Sequence, residues 1–370
     1  MTELRLTVVN TSEAGGTALT PFWFGLHDGT FDLYDLGAEA SAGLEQIAED
    51  GSPAGLNAEL TAIDADAVTG AVFGDRGPIA AGEQAEAFVD VDGATAAYLD
   101  IAAMILPSND AFVGTANSVL LFDDSGDFVG ETVIAFDGGS VRDAGTEVNT
   151  EMDAAFINQT GPNTGIDEGG VITVHPGFNG SEGNPGGDQI ILGGTNAFGE
   201  FIDPVAADFT RDGAEIATFR INEVNRVEFG RGRDVFEGGA EDDIVSGGRG
   251  KDKLYGGDGW DELSGGRGRD MLDGGAGADF LDGGRGRDIL TTGEGPDAIF
   301  WADGDGFDVV TDFEANDMLL LDIAAYDTAE AVLAGATETA RGVRLDFETG
   351  GLLLEDVTLD DLGSDQFAFV

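Results

Sequence analysis

The sequence predicts an all-β protein in which a β-sandwich precedes a parallel β-roll and a β-rich C-terminal cap. Three observations lead to this prediction. A nine-residue period runs through the C-terminal third. Glycine is abundant, with 60 residues against 9 prolines, which indicates many tight turns. Short runs of alternating apolar residues recur in the N-terminal two-thirds. We therefore expect three domains, at residues 1–226, 227–302 and 303–370.

The nine-residue period is carried by three kinds of residue that stay in phase. An aspartate occurs at every ninth position, an apolar residue follows two positions later, and glycine pairs recur with the same spacing. The repeating unit is G-G-x-G-x-D-x-U-x, in which U is apolar. The aspartates are Asp234, Asp243, Asp252, Asp261, Asp270, Asp279, Asp288 and Asp297.

This spacing predicts how the roll is built. Six residues of each unit form a glycine-rich turn, and three form a short strand with U pointing inward. Two units make one coil, so each aspartate stacks near the aspartate 18 residues away. Carboxylate and carbonyl oxygens then form cages that suit several calcium ions better than magnesium. The expected carbonyl ligands are Gly248, Gly250, Gly257, Gly259, Gly266, Gly268, Gly275, Gly277, Gly284 and Gly286.

A metal-free solenoid or a flexible linker is the competing interpretation. A linker would not keep its apolar residues in phase, and a metal-free roll would leave rows of aspartates repelling one another. The end units depart from the pattern at Glu241, Thr292 and Pro296, so the inner sites should bind best. Residues 303–314 are superficially similar to an EF-hand loop, but Phe307 and Asp308 do not fit it, so we expect a capping loop.

The charge balance narrows the choice of partners. The chain has 72 acidic and 17 basic residues, a net charge of -55, which favours cations over nucleic acid or anionic membranes. There is no cysteine, so no disulfide framework is expected. We also expect no membrane span and no cleavable signal peptide, because no apolar stretch of the required length occurs.

The repeat array resembles the RTX repeats of proteins exported by type I secretion, over about residues 229–300. Residues 300–306, 310–313 and 365–370 are similar to the ends of such proteins. The resemblance implies a secreted, extracellular or cell-surface protein that uses the type I secretion machinery through an uncleaved C-terminal signal. It also implies that the roll folds on calcium only after export.

The N-terminal region predicts a sandwich with one helix. Leu4, Leu6 and Val8 alternate as a half-buried strand does, and similar runs occur at residues 98–105 and 216–221. A helix through residues 40–48 should end at glycine 51. This region resembles the spondin domain, a C2-like β-sandwich. The matching segments are GAEASAGLE (37–45), IAEDG (47–51), PSNDAFVG (107–114), DAGTEVN (143–149) and HPG (175–177).

The spondin resemblance implies one calcium site at an end of the sheets, carried by Asp110, Asp143 and Glu147. Asp143 and Glu147 bracket a glycine that permits a tight turn. Solvated loop carboxylates or structural hydrogen-bond acceptors are the competing interpretation. The disulfides of the animal proteins are absent here, so their matrix and receptor partners do not transfer.

No catalytic residue is predicted. His27 and His175 are too few for an H-E-x-x-H zinc site, and both are interpreted as loop or packing residues. No G-x-S-x-G motif is present. We expect a non-enzymatic adhesion or extracellular-matrix protein that binds calcium and an extracellular glycan or surface protein. The alternatives are a polysaccharide hydrolase or lyase, and an acidic calcium-buffering surface protein.

Overall fold

The computed structural model describes residues 1–106, 108, 110–145, 170–175, 203, 206–209, 211 and 213–370. It divides the chain into two compact units, Met1–Glu223 and Val224–Val370. Strands predominate, and a parallel β-solenoid of about six turns covers residues 224–322. The all-β fold class and the predicted roll are therefore confirmed. No helix among the described residues has the length and apolar character needed to cross a membrane.

Among its described residues, the first unit contains two antiparallel sheets and two α-helices. Its elements are β1 (Thr2–Val9), β2 (Ala18–Leu19), β3 (Phe22–His27), α1 (Ala42–Asp50), α2 (Ala54–Ile63), β4 (Val68–Val72), β5 (Gln84–Val91), β6 (Tyr98–Leu106), β7 (Ala111–Gly114), β8 (Val119–Leu120), β9 (Thr132–Asp137), β10 (Arg142–Asp143), β11 (Thr173–Val174) and β12 (Glu215–Glu228), whose last residues belong to the second unit.

The two sheets enclose an apolar core. One sheet contains β5, β1, β12 and β9, and the other has the strand order β11-β10-β7-β6-β3-β4. Leu4, Leu6 and Val8 of β1 are fully buried against residues of β3 and β6, as their alternation predicts. Strand β6 is buried over nearly its whole length, because helices cover the outer face of its sheet.

The predicted helix is present as α1. The Ser41 hydroxyl accepts a hydrogen bond from the Leu44 N–H at its start, and Gly51 ends it with φ of 64°. The expectation of a single helix is wrong, because α2 follows directly. Only Leu56 and Leu60 of α2 are buried, so its sequence carries a weak amphipathic signal.

The second unit is made of the roll and a C-terminal hairpin. Its further elements are β13 (Arg231–Gly232), β14 (Val235–Glu237), β15 (Asp242–Ser246), β16 (Arg249–Gly250), β17 (Lys253–Gly259), β18 (Glu262–Ser264), β19 (Met271–Gly277), β20 (Phe280–Asp282), β21 (Ile289–Glu294), β22 (Ala298–Ala302), β23 (Phe307–Val310), β24 (Met318–Asp322), α3 (Ala329–Gly335), β25 (Thr337–Thr339), β26 (Gly342–Phe347), β27 (Gly350–Glu355) and β28 (Phe367–Phe369).

The roll consists of two parallel sheets with the period predicted from the sequence. Strands β15, β18, β20, β22 and β24 form one sheet, and β14, β17, β19, β21 and β23 form the other. Leu263 pairs with Leu281 on the first sheet, and Leu254 pairs with Leu272 on the second. These U residues are fully buried between the sheets. Two units therefore make one coil, as expected.

The C-terminal segment extends the same apolar core. Strands β26 and β27 form an antiparallel hairpin, and β27 and β28 continue the two parallel sheets. Trp301 is buried and lies 4.7 Å from the Phe347 ring centre. Its role is packing, which agrees with its interpretation from the sequence.

Candidate calcium sites

The loops of the roll lie along two edges, and each aspartate is held by the preceding coil. On one edge, the Asp252 N–H donates to Asp270 Oδ1 at 2.8 Å, and the Asp270 N–H donates to Asp288 Oδ1 at 2.7 Å. On the other edge, the Asp261 N–H donates to Asp279 Oδ1 at 2.9 Å. The stacking of aspartates 18 residues apart is therefore observed directly.

These bonds use one oxygen of each carboxylate and leave the second oxygen buried. Seven aspartates carry a buried Oδ2 that has no hydrogen-bond partner, and they are Asp243, Asp252, Asp261, Asp270, Asp279, Asp288 and Asp297. An unsatisfied buried polar atom costs about 1–3 kcal/mol. A row of such oxygens therefore points to a ligand that supplies positive charge.

Carbonyl oxygens of the loop glycines lie close to the same aspartate Oδ2 atoms. A methyl group added at Gly265 would lie 2.8 Å from the Gly283 carbonyl oxygen and 3.0 Å from Asp270 Oδ2. One added at Gly247 would lie 3.0 Å from the Gly265 oxygen and 3.1 Å from Asp252 Oδ2. Only glycine keeps these oxygen-lined spaces open, and an all-oxygen donor set fits calcium.

Burial raises the pKa of several stacked carboxyls above the usual 3.8. Loss of solvent is the largest cause, and neighbouring aspartates of the same edge add to it. Without a cation, Asp261 and Asp288 would hold protons at neutral pH. The pKa rises to about 8 for Asp261 and Asp288, about 7 for Asp279, and about 6 for Asp270, Asp297 and Asp308.

The predicted glycine ligands lie in these loops, and several have positive φ angles. Gly266 has φ of 85° and Gly275 has φ of 109°, which other residues adopt with strain. The Gly248 carbonyl accepts a hydrogen bond from the Arg267 N–H at 2.8 Å, and its second lone pair stays available to a cation. Their role as ligands remains a prediction. The sequence interpretation omitted the first glycine of each pair, such as Gly265.

The ladder of aspartates is longer than the sequence analysis predicted. Asp308 Oδ1 accepts from the Asp288 N–H at 2.7 Å, and Asp317 Oδ1 accepts from the Asp297 N–H at 3.2 Å. A two-residue insertion changes the spacing from 18 to 20, which hid both residues from a strict search for the period. The segment interpreted as a degenerate capping loop therefore carries Asp308 as a further rung.

At both ends of the edge that carries Asp243, a polar side chain supplies a hydrogen bond where a further coil would supply one. Asn225 donates to Asp243 Oδ1 at 2.8 Å, from the position 18 residues earlier. At the other end, the Thr292 hydroxyl donates to Asp317 Oδ2 at 3.2 Å. The aspartate Oδ2 has no hydrogen-bond partner in the inner coils, but here the Oδ2 of Asp317 has one. This difference explains physically why Thr292 marks the end of the repeats.

A second cluster lies in the first unit. Asp110 and Asp143, predicted as ligands, offer oxygens that lie within 4.8 Å of each other and of a His175 ring nitrogen. All three residues are buried. The Gly145 N–H donates to Asp143 Oδ1 at 2.8 Å, which fixes the turn. Glu147, the third predicted ligand, lies outside the described residues.

His175 joins this cluster although its sequence context suggested only a loop or packing residue. Burial lowers its pKa to about 4 despite the opposing effect of Asp143, so the imidazole is neutral at physiological pH and can donate a lone pair. The ring also packs edge-on to Phe209, with centres 5.3 Å apart. Only the pairing of distant strands brings it to the two aspartates.

The other histidine has a structural environment. His27 Nε2 lies 3.0 Å from Asp100 Oδ2, and the Gly29 N–H donates to His27 Nδ1 at 3.0 Å. The Thr115 and Ser118 hydroxyls donate to the same Asp100 carboxylate. Both ring nitrogens and both carboxylate oxygens are thus engaged in the core, which agrees with a packing role.

Comparisons with known proteins match both units. The family model of the RTX calcium-binding nonapeptide repeat matches in four copies, at residues 230–254, 237–272, 255–290 and 264–299. The Spondin_N family model matches residues 18–164. No curated protein matches the chain.

Several solved structures are similar in part. One of them is the crystal structure of the extracellular lipase LipA from Serratia marcescens, with 16% identity and a TM-score of 0.23. The match covers 40% of each chain, so this chain spans well under two-thirds of that protein's length. The matched families agree with the geometry of both units: the chain combines a Spondin_N domain with RTX calcium-binding nonapeptide repeats.

Proposed function

We propose that the chain is a secreted, non-enzymatic adhesion or extracellular-matrix protein whose roll folds on calcium after type I export. The observation that supports calcium-dependent folding is the two rows of buried aspartate oxygens without hydrogen-bond partners, seven oxygens in all. The roll has its oxygen ligands in place only if its coils are stacked, and the stack repels itself without a cation. Calcium binding and folding are therefore one event.

The calcium concentration on each side of the membrane then acts as the switch. Extracellular calcium sites have dissociation constants of about 0.1–1 mM, far above the free calcium inside a cell. Each site contributes about 0.5–1.5 kcal/mol at millimolar calcium, and coupled sites add up along the roll. The chain is thus exportable as an unfolded roll and folds when it reaches the outside.

The adhesive role is tested by presenting the full chain to a glycan and matrix-protein array, in millimolar calcium and in chelator. Binding to one ligand class in calcium, without chemical change of that ligand, is the expected result. Measurable turnover of any glycan would contradict the non-enzymatic role and favour the polysaccharide hydrolase or lyase. Absence of binding to every ligand in both conditions would favour a calcium-buffering surface protein.

We further propose that Asp110, Asp143 and His175 hold one divalent cation in the spondin-like unit. The two carboxylates provide the oxygen ligands that calcium prefers, while a neutral imidazole suits zinc or manganese. Asp143→Ala should weaken binding at this site at least tenfold, because one of two charged ligands is lost. Asp90→Asn, which alters an exposed carboxylate of β5, is the matched control.

Calorimetric titration of full-length wild type and variants with calcium and with zinc measures this effect. The roll is the same in wild type and in Asp143→Ala, so the difference in heat between them reports the site in the first unit. If Asp143→Ala and wild type give the same affinity and stoichiometry for both ions, the cluster is not a metal site. A zinc-selective loss would assign the site to zinc instead of calcium.

A further inference from the structure

Eight basic side chains lie together on one edge of the roll. They occupy the third and fifth positions of four successive loops, at residues 229–234, 247–252, 265–270 and 283–288. They account for nearly half of the 17 lysines and arginines in a chain of net charge -55. This set, here called the basic ladder, consists of Arg231, Arg233, Arg249, Lys251, Arg267, Arg269, Arg285 and Arg287.

The opposite edge shows that the repeat does not require basic residues at these positions. Its loops, at residues 238–243, 256–261, 274–279 and 292–297, contain eight acidic residues and no lysine or arginine. The third positions there are alanine or acidic. Since both edges fold in the same way, the basic residues serve a purpose other than forming the turn.

Without an anionic partner, the close spacing of these positive charges destabilises the roll. The backbones of Arg231, Arg249, Arg267 and Arg285 are paired in parallel register, about 4.7–4.9 Å apart, so side chains of like charge stand side by side. Like charges at directly paired positions are destabilising. All eight side chains are exposed, and in the described part of the chain none of them forms an ion pair with a carboxylate.

A shallow groove runs beside the fifth-position residues. It has a volume of about 260 Å³ and is lined by Arg233, Lys251, Arg269 and Arg287, together with Lys253 and the two calcium-loop aspartates Asp252 and Asp270. Its apolar lining comes from two aliphatic side chains, Met271 and Ile289, and Ile289 is 40% exposed. The groove thus combines a row of cations with an aliphatic surface.

We propose that the basic ladder binds a linear anionic polysaccharide whose sulfate or carboxylate groups lie over successive rungs. The guanidinium fork matches such oxyanions in bidentate fashion. The aliphatic surface suits the C–H faces of sugar rings. Calcium held between the aspartates of the same loops adds positive charge beneath the ladder. This inference rests on the adhesive role proposed above and names its ligand class.

Nucleic acid fits this surface less well. Single strands are bound by aromatic side chains on which bases stack, and no aromatic residue lines the groove.

The test uses the full-length protein in millimolar calcium. Its binding to immobilised dextran sulfate and hyaluronan is compared with binding to uncharged dextran and to oligo-thymidine DNA. The ladder variant carries Arg249→Gln, Lys251→Gln, Arg267→Gln and Arg269→Gln. The control variant carries Arg341→Gln and Arg344→Gln, which remove exposed charges elsewhere in the same unit. Calcium-induced circular dichroism verifies that both variants fold.

Wild type should bind at least one of the two anionic polysaccharides and not dextran. The ladder variant should lose about tenfold or more in affinity, and the control should lose less than about twofold. Wild-type binding should also weaken as sodium chloride is raised. Absence of binding to both polysaccharides, equal loss in both variants, or a preference for DNA would overturn the inference. Calcium-induced folding is scored separately, so such a failure leaves the calcium switch intact.

Discussion

Removal of calcium should unfold the roll and leave the first unit folded. The perturbation is an excess of chelator added to the full-length protein at neutral pH, with magnesium as the matched control ion. Magnesium should not restore the fold, because cages of flexible protein oxygens seldom satisfy its octahedral geometry.

The expected magnitude follows from the buried carboxylate oxygens. Seven of them lack a hydrogen-bond partner, and each such atom costs about 1–3 kcal/mol, for a sum of about 7–20 kcal/mol. The net stability of a domain is only about 5–15 kcal/mol. The metal-free roll should therefore be largely unfolded at neutral pH, where its carboxylates must either ionise in the interior or retain protons.

Hydrogen exchange with mass spectrometry measures this prediction segment by segment. Amides of β17–β21 should be protected in calcium and exchange at nearly the unfolded rate in chelator. Amides of β6, which is buried within the first unit, provide the internal control and should stay protected in both conditions. Equal protection of β17–β21 with and without calcium would refute the reasoning from the unpaired oxygens.

Two further predictions concern pH and packing. Burial raises the pKa of Asp261 and Asp288 to about 8 in the metal-free fold, above an unfolded value near 3.9. The stability that these carboxyls give to the metal-free roll is therefore fully present below about pH 4 and is lost progressively as the pH rises to about 8. Acidification in chelator should restore β-type circular dichroism, and a signal independent of pH would contradict this. Leu272→Ala should lower the stability of the roll by about 2–5 kcal/mol and raise the calcium concentration at which half of the roll is folded. Ile289→Ala, at a 40% exposed position, should change that concentration little. Equal changes in the two variants would show that the apolar U residues are not the core.

The roll could be predicted from the sequence because its contacts are nearly one-dimensional. Each coil touches only its neighbours, so a local period determines strand, turn and register together. The stacking of Asp252 on Asp270 and the burial of Leu272 follow from that period alone. A strict nine-residue period ends at Asp297, whereas a two-residue insertion carries the ladder of aspartates on to Asp308 and Asp317.

The contacts of the first unit depend on pairing between distant strands. Asp110, Asp143 and His175 lie on three separate segments, and the order β7-β10-β11 in one sheet brings them together. No local pattern specifies that neighbourhood. The sequence pattern does not predict helix α2 for a related reason. The helix is stabilised more by the packing of its two buried leucines than by any periodicity of its own sequence.

The sequence by itself determined the repeat, its register and the stacking of the aspartates, because those features recur at fixed intervals along one chain. The tertiary structure alone decided which second oxygen of each carboxylate is left without a partner, and how His175 joins the aspartates of the first unit. It also showed that the eight basic side chains of one edge are all exposed beside a groove, because side-chain exposure depends on how the coils pack.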